Sequence, residues 1–296
     1  MYIKVLGAGA GGGLPQWNCG CRNCNDARAG HLPAMTQSSL AVSANGQDWA
    51  VLNASPDIRQ QFADTPQLAP TGLRVSPLRS VVLTNGDIDH VAGLLTLREK
   101  TPFTVFATAQ TLEILETNAV FGVLDPALVS RSPIALEAAF TPLTGMEITA
   151  FAVPGKVALY LEQGDDVDTN AMGEQTIGLR LSASGRTVYY IPGCAAVTDA
   201  LLAQVADADL LLFDGTVWQN DEMPTMGAGA KTGARMGHVA MDGPDGSIAR
   251  LAGLTCRKVF VHINNTNPAL QPDGPERATL SAAGWDIAAD GMEITI

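Results

Sequence analysis

Three cysteines lie within six residues near the N-terminus, in the run Cys19-Gly-Cys21-Arg-Asn-Cys24. Three thiolates this close together can occupy three corners of a tetrahedral Zn²⁺ site, with a fourth ligand from elsewhere in the chain. Unlinked thiols or a redox pair are the simpler alternatives, but clustered free thiols are reactive and therefore a liability. We predict a structural zinc site that holds an otherwise shapeless loop. The candidates for its fourth ligand are Asn265, His31 and His262.

A second group of polar side chains follows an apolar run that ends at Leu83. The polar loop after this predicted strand brings Asp87, Asp89 and His90 to the start of a predicted helix near Val91. Sites in α/β folds lie at the carboxyl ends of strands, so we predict a functional site here. Asp89 alone could serve as a helix cap, but capping does not account for the histidine beside it.

Short apolar, β-branched runs recur along the chain and alternate with helical patterns. The runs are too numerous and too closely spaced for a simple βαβ repeat, so we predict two mixed sheets with helices outside. We predict a single domain over 1–296, with halves 1–150 and 151–296, because no linker is visible. The strands are predicted at Tyr2–Leu6, Ser39–Val42, Trp49–Leu52, Ser80–Leu83, Phe103–Ala107, Ile148–Val153, Val157–Leu161, Thr176–Leu181, Thr187–Ile191, Leu210–Phe213 and Lys258–Ile263, and helices at Val91–Glu99, Gln110–Asn118, Val197–Ala206 and Ser247–Leu254.

Two irregular stretches are long enough to be lids or site loops, Glu162–Gly173 and Asp221–Gly237. A third, glycine-rich stretch fits G-x-G-x-x-G after the first strand, with Gly7, Gly9 and Gly12. A dinucleotide site needs a helix that opens at the third glycine, and we predict no helix before residue 30. The glycines are better explained as a tight backbone passage at positive φ, so we predict no nucleotide cofactor.

Composition indicates a globular protein and excludes several classes of partner. The 296 residues are 46% hydrophobic and only 16% charged, which provides for a sizeable core. A net charge of −12 argues against nucleic acid or an anionic membrane surface as partner. We find no apolar run of the ~18 residues that a membrane span needs, and no signal peptide. Five cysteines, an odd number with three clustered, indicate metal binding in a reducing, cytoplasmic compartment, with Cys194 and Cys256 as buried apolar residues.

The order of the polar residues resembles the metallo-β-lactamase superfamily. Asp89-His90-x-x-Gly93 looks like the end of its H-x-H-x-D-H…G signature, and Asp214, His238 and His262 follow in the expected order. The chain departs from the signature at four places: Asn85 and Asp87 replace its first two histidines, the middle histidine is missing near Pro154-Gly-Lys, and the bridging aspartate is absent after Tyr189-Tyr-Ile-Pro-Gly-Cys194.

These departures remove the superfamily's first metal site and leave the set of its second, Asp89, His90 and His262. Two histidines and one carboxylate with open positions are the arrangement of non-haem Fe(II) oxygen chemistry. Hydrolysis by a hydroxide bridging two metals would have lost most of its apparatus. The resemblance therefore implies an Fe(II) site and argues against a hydrolase.

Nearly the whole chain resembles the coenzyme PQQ synthesis protein B family. That resemblance implies an αβ/βα sandwich and a role in pyrroloquinoline quinone (PQQ) biosynthesis, as an iron-dependent, O₂-using hydroxylase. The implied substrate is the tyrosine ring of a cross-linked Glu–Tyr unit cut from a precursor peptide. A non-catalytic carrier for PQQ or its precursor is the alternative, and a hydrolase is a weaker third. The segments that carry the resemblance are PQWNCGC, NASPDIRQQ, DGTVW, MGHVAM, HINNTNP and ERATL.

Four further residues are candidates for supporting roles near the implied metal. His238 would donate or accept a proton, and Asp214 would orient a ligand histidine without binding the metal itself. Lys231 and Arg235 would hold substrate carboxylates, although both could be ordinary solvated charges. The expected partners are O₂ and a small or short-peptide substrate, with no nucleic acid or membrane. A homo-oligomer is compatible with the sequence.

Overall fold

The structure is a computed structural model that describes residues 1–164 and 167–296. Part of the predicted loop Glu162–Gly173 therefore lies outside the described residues. Among the described residues, no helix has the length and apolar character to cross a membrane. The strands are β1 (Tyr2–Gly7), β2 (Ser39–Ser43), β3 (Trp49–Leu52), β4 (Leu78–Val82), β5 (Phe103–Thr108), β6 (Val129–Ile134), β7 (Ala139–Leu143), β8 (Met146–Ala152), β9 (Ile177–Ala183), β10 (Arg186–Ile191), β11 (Leu210–Asp214), β12 (Arg257–Val261), β13 (Trp285–Ile287) and β14 (Glu293–Thr295).

The described strands form two mixed, seven-stranded sheets. The first has the order β14-β1-β2-β3-β4-β5-β6 and the second β13-β12-β11-β10-β9-β8-β7. In each sheet one side is antiparallel and the other parallel, since β3 to β6 and β10 to β13 pair in parallel. The predicted sandwich of two mixed sheets is confirmed. The predicted boundary between halves, at residue 150, falls inside β8.

Helices cover the sheets and line one edge of the sandwich. They are α1 (Arg22–Arg28), α2 (Ile58–Ala63), α3 (Ile88–Val91), α4 (Ala109–Thr117), α5 (Asp199–Gln204), α6 (Glu222–Thr225), α7 (Gly233–Met236), α8 (Ser247–Arg250) and α9 (Pro275–Ala282). Short 3₁₀ turns lie at Pro66–Leu68, Ala92–Leu95, Ala119–Val123, Leu159–Leu161 and Pro268–Leu270. Two of the helices, α6 and α7, interrupt the predicted loop Asp221–Gly237.

Alternating side chains of the central strands enter two different cores. Leu40 and Leu52 belong to the larger cluster, which also contains Leu179 and Leu181 of the second sheet. Ala41, by contrast, belongs to the cluster beneath the outer helices. Because successive side chains of a strand point to opposite faces, both faces of these strands are buried. This explains why the strands read as continuous apolar runs.

The predictions for local structure fail at identifiable places. The run Val157–Leu161, predicted as a strand, contains instead a 3₁₀ turn, and the side chains of Leu159, Tyr160 and Leu161 are exposed. Helix α1 lies where no helix was predicted. It begins after Cys21, whose sulfur accepts a hydrogen bond from the Cys24 backbone N–H in place of an ordinary capping oxygen.

The glycine loop behaves as a tight backbone passage. Gly12 and Gly13 have φ of 94° and 65°, in the left-handed region that favours glycine. Gly7 meets the neighbouring chain so closely that an added Cβ would lie 2.1 Å from the Gln37 carbonyl oxygen. These glycines therefore serve packing and direction of the chain, as predicted.

Candidate metal centre

Asp89 and His90 lie on α3, which follows β4 at the carboxyl edge of the first sheet. Gly93, in the 3₁₀ turn that follows this helix, allows the segment to dock tightly, since a Cβ there would lie 2.1 Å from the Ser55 carbonyl oxygen. Two backbone hydrogen bonds fix the contact, from Ala54 N–H to the His90 oxygen (2.7 Å) and from Gly93 N–H to the Ala54 oxygen (2.9 Å). Asp89 lies within the first turn of α3 rather than at its cap position, so its carboxylate is available for the site.

His262 follows β12 at the corresponding edge of the second sheet. Its backbone φ is 57°, an uncommon value for a residue other than glycine. Ile263 N–H donates to the Ala8 oxygen (2.9 Å) and holds the backbone here, and the Thr216 hydroxyl oxygen lies 3.1 Å from the His262 carbonyl oxygen. Such a conformation aims the imidazole out of the strand and towards α3, which is typical of a functional position.

The structure brings the three predicted iron ligands together. One oxygen of Asp89, Oδ2, lies 3.1 Å from His262 Nε2 and 3.8 Å from His90 Nε2. The potential ligand atoms of all three residues lie within 4.8 Å of one another. Both histidines are almost fully buried, at 2% and 5% exposed. Two imidazoles and one carboxylate therefore converge from different sheets.

Neutral oxygens hold the far nitrogen of each ligand histidine. Asn85 Oδ1 is 2.8 Å from His90 Nδ1, and Thr216 Oγ1 is 2.8 Å from His262 Nδ1. Such outer partners orient metal-binding imidazoles and fix their tautomer. His90 Nε2 is buried and has no hydrogen-bond partner among the described residues. A buried polar atom left unsatisfied is costly, so this nitrogen fits a metal ion beside Asp89 and His262.

The protonation states of Asp89 and His90 suit metal binding. Burial lowers the pKa of His90 to about 4, although Asp89 opposes the shift, so the ring stays neutral at pH 7. Burial would raise the pKa of Asp89, but His90 and His262 outweigh it and hold the carboxylate ionised. For His262, the hydrogen bond to Asp89 overcomes the effect of burial and raises the pKa. The centre thus offers an ionised carboxylate and a neutral imidazole.

Asp214 and His238 lie next to the three candidate ligands. Asp214 is fully buried at the end of β11, and its Oδ2 accepts from His238 Nδ1 (2.7 Å) and Cys194 N–H (2.9 Å). Its other oxygen accepts from the Thr216 hydroxyl (2.7 Å) and backbone N–H (3.0 Å). Asp214, His238 and His262 could also hold an ion together. Because both oxygens of Asp214 already accept hydrogen bonds, we interpret it as the residue that positions His238 and, through Thr216, His262.

A cavity of about 270 Å³ opens onto the metal centre. Lys156 and Lys231 line it together with the three candidate ligands and His238. Asp87 also lines it, and burial raises the pKa of this carboxyl. The second predicted cation, Arg235, lies on α7 and contacts the carboxylate of Glu162 at 2.9 Å.

The three clustered cysteines also meet in space. The Cys19, Cys21 and Cys24 sulfurs lie within 4.8 Å of one another, and the Asn265 side-chain amide lies 3.1–3.6 Å from each. Burial raises the pKa of Cys21 to about 11, and bound zinc would favour the thiolate instead. Asn265 is thus adjacent to the three sulfurs, and rotation of its amide would present the oxygen to an ion.

The other two candidates for the fourth zinc ligand lie elsewhere. The side chain of His31 is 74% exposed and faces Asp26 at 3.9 Å. His262 belongs to the Asp89 group. Cys194 is fully buried, as predicted, whereas Cys256 is only partly buried.

Four residues of this region were not identified as contributors from sequence. Thr216 follows Asp214 by two positions in the DGT segment, and its closeness to a predicted site residue would have been enough to predict it. Asn85 was interpreted only as the replacement of a metal-binding histidine, although its side chain orients His90. No local pattern indicates Lys156 or Glu162, which form an ion pair with each other, while Glu162 also contacts Arg235 of α7, 73 residues further along the chain.

Comparison with known proteins identifies the family. Residues 48–263 match the family described as Beta-lactamase superfamily domain. Coenzyme PQQ synthesis protein B of Ruegeria pomeroyi is 59% identical over 100% of both chains, and that of Rhizobium meliloti is 57% identical over 100% of this chain and 98% of its own.

Solved structures agree with this assignment. The Zn²⁺-bound PqqB of Methylobacterium extorquens superposes with a TM-score of 0.98 at 52% identity, and the match covers 100% of both chains. A diphosphatase of the PhnP family shares the fold at a TM-score of 0.71 and 20% identity, over 100% of this chain and 97% of its own. The chain belongs to the coenzyme PQQ synthesis protein B family, within the β-lactamase superfamily.

Proposed function

We propose that this protein acts in PQQ biosynthesis as a non-haem Fe(II), O₂-using hydroxylase of the tyrosine ring of a Glu–Tyr-derived intermediate. The family supports the pathway, since the relatives carry the name coenzyme PQQ synthesis protein B. The observation that supports this chemistry is the group of Asp89, His90 and His262, in which His90 Nε2 is buried without a hydrogen-bond partner among the described residues. Two histidines and one carboxylate are the ligand set of non-haem Fe(II) oxygenases.

Each part of the site has a role in this proposal. Asp89, His90 and His262 would hold Fe(II), which supplies oxygen activation when it is bound. Asn85 and Thr216 keep both ligand imidazoles in place through Nδ1. His238 lines the cavity with Nδ1 held by Asp214, so its other nitrogen is the group placed to move a proton to or from the phenol. Lys231 and Arg235 bind substrate carboxylates.

A carrier for PQQ or its precursor is the second candidate. The cations at the cavity favour it, because an acidic quinone would be held by the same Lys156 and Lys231. A carrier would have no use for a ligand set with open positions, whereas a hydroxylase requires one. The two functions therefore differ in their dependence on the metal.

The test is metal content and oxygen consumption of protein purified without air and loaded with Fe(II). We expect about one iron per chain besides the cysteine-bound zinc, and O₂ consumption that depends on a Glu–Tyr-derived substrate. In His262→Ala, iron occupancy and turnover should fall together while the zinc stays. Binding of substrate or PQQ with no oxygen uptake in the iron-loaded protein would favour the carrier. Full iron and turnover in His262→Ala would refute the ligand assignment.

A further inference from the structure

Three cations from two segments of the chain, Lys156 in one and Lys231 and Arg235 in the other, converge on one carboxylate beside the cavity. Lys156 Nζ lies 2.9 Å from Glu162 Oε1, while Lys231 Nζ and Arg235 Nη2 lie 3.3 Å and 2.9 Å from Oε2. The hydrogen bond from Arg235 and the positive charge of Lys156 hold the pKa of Glu162 at about 2, so the carboxylate is ionised. Both of its oxygens are thus held by positive charge.

This arrangement is more enclosed than an ordinary surface ion pair. The Glu162 side chain is 7% exposed and that of Lys156 is 10% exposed. The stem of Lys156 packs on Gly237, where a Cβ would lie 3.3 Å from Lys156 Cγ. Exposed pairs contribute little to stability and are loosely held, whereas these groups are fixed by their surroundings. The cations therefore form a preorganised place for a carboxylate.

Two of the three cations face the candidate metal centre. Lys156 and Lys231 line the cavity that contains Asp89, His90 and His262. Its volume of about 270 Å³ is at the lower limit of the roughly 300–1,000 Å³ usual for ligand sites. A substrate made of two joined amino acids needs more room and brings carboxylates of its own. The side chain of Glu162 competes for the groups that would bind them.

We propose that Lys156, Lys231 and Arg235 form a carboxylate-binding subsite in which Glu162 is an internal occupant that a substrate carboxylate replaces. The identity of that substrate rests on the proposed function, whereas the exchange itself does not. Replacement of one carboxylate by another keeps the cations neutralised, so that the nearly buried Lys156 is not left unpaired, which would be costly.

The segment that carries Glu162 is suited to release. It follows the 3₁₀ turn Leu159–Leu161, whose side chains are 58%, 43% and 41% exposed, so it can move without opening either core. The turn is attached to the site by two hydrogen bonds, from the Tyr160 hydroxyl to the Gly86 oxygen (2.7 Å) and from Leu159 N–H to Asp87 Oδ1 (3.1 Å). Displacement of Glu162 would therefore also affect the residues at the entrance of the cavity to which this turn is hydrogen-bonded.

Calorimetric titration of the zinc-containing protein with glutarate, a simple dicarboxylate, tests the subsite. In Glu162→Gln the internal competitor is neutral but nearly the same shape, so we expect glutarate to bind about tenfold more tightly than to the wild type. Glutaramide, the neutral isostere, should show no such gain. Equal or weaker binding of glutarate to a folded Glu162→Gln would overturn the proposal and leave Glu162 as a structural clamp.

Lys231→Gln is the second variant, since that side chain is 42% exposed and folding should tolerate the change. We expect glutarate to bind several-fold more weakly to it, and unchanged affinity would overturn the proposal even if Glu162→Gln failed to fold. His262→Ala separates this result from the proposed function. It should lose turnover but keep its affinity for glutarate, whereas loss of that affinity would mean that the probe binds the metal and not the cations.

Discussion

The partners of the histidine nitrogens divide the site into two kinds of group. His90 and His262 are held through Nδ1 by the neutral oxygens of Asn85 and Thr216. His238 is held through Nδ1 by the ionised carboxylate of Asp214. An imidazole with a neutral partner at one nitrogen can bind a metal through the other. A carboxylate partner instead stabilises the imidazolium that forms when a histidine accepts a proton. The hydrogen bonds thus match the ligand and proton-transfer roles proposed above.

His238→Ala tests this division. The change removes an imidazole that lines the cavity but leaves Asp89, His90 and His262, so we expect iron content to remain near that of the wild type. Turnover should fall by roughly 10²–10⁴-fold, as for the loss of a general acid or base. Metal analysis and oxygen uptake on the same preparation measure both. Loss of iron together with activity would instead make His238 a ligand.

A residue of this site could be predicted from the sequence only where its type and its order in the chain suggest a role. Asp89, His90 and His262 were predicted because they carry ligand atoms in the order that a known superfamily uses. Lys156 and Glu162 were not, because charged side chains are common and only the fold shows that these two meet. Glu162 also accepts a hydrogen bond from Arg235, 73 residues further along the chain, and no sequence pattern shows a contact over that separation.

The strands that no sequence pattern predicted are the edge strands of the two sheets. They are β6, β7, β13 and β14, which end the two strand orders. Pro133 and Pro142 lie inside β6 and β7, and proline cannot donate a ladder hydrogen bond, so it occurs in edge strands and weakens a strand pattern. The other two are only three residues long. Central strands were predicted because both of their faces are buried.

The cysteine loop and α1 form one element that depends on the predicted zinc. In Cys21→Ser the helix keeps a good N-cap residue, so the loss of one thiolate should dominate the effect. Binding free energy at a structural zinc site is folding free energy, and we expect less zinc and a melting temperature lower by several degrees. Cys256→Ser, a partly buried cysteine outside the cluster, is the matched control and should keep its zinc. Full zinc and unchanged melting of Cys21→Ser would refute the structural site.

Glu162 links the turn Leu159–Leu161 to α7, and this link should depend on pH. The pKa of Glu162, which faces Lys156, Lys231 and Arg235, falls from 4.5 to about 2 on folding. A carboxyl with a lowered pKa stabilises the fold above its unfolded pKa, and that contribution is lost as the pH falls towards 2. The excess free energy of unfolding of the wild type over Glu162→Gln should therefore shrink between pH 5 and 3 in urea titrations. A difference independent of pH would contradict the ionised link.

The candidate metal centre lies between the two sheets. Asp89 and His90 follow β4 of the first sheet, and His262 follows β12 of the second. Elsewhere the sheets are joined by the stack of Phe106 on Phe140, with ring centroids 5.1 Å apart, and by the buried cores. An ion held by both sheets therefore adds a cross-link that the unfolded chain lacks.

Metal binding should consequently stabilise the complete fold and not only the local loops. At a concentration of Fe(II) a hundred times its dissociation constant, linkage predicts about 2.7 kcal/mol of added stability for one site. In a domain of this size the melting temperature should rise by several degrees, in a single transition for both sheets. The measurement is anaerobic thermal unfolding with and without Fe(II). His262→Ala should lose the increment, since one of three ligands is gone, whereas Cys21→Ser should keep it. An equal increment in His262→Ala would show that iron stabilises the protein from another site.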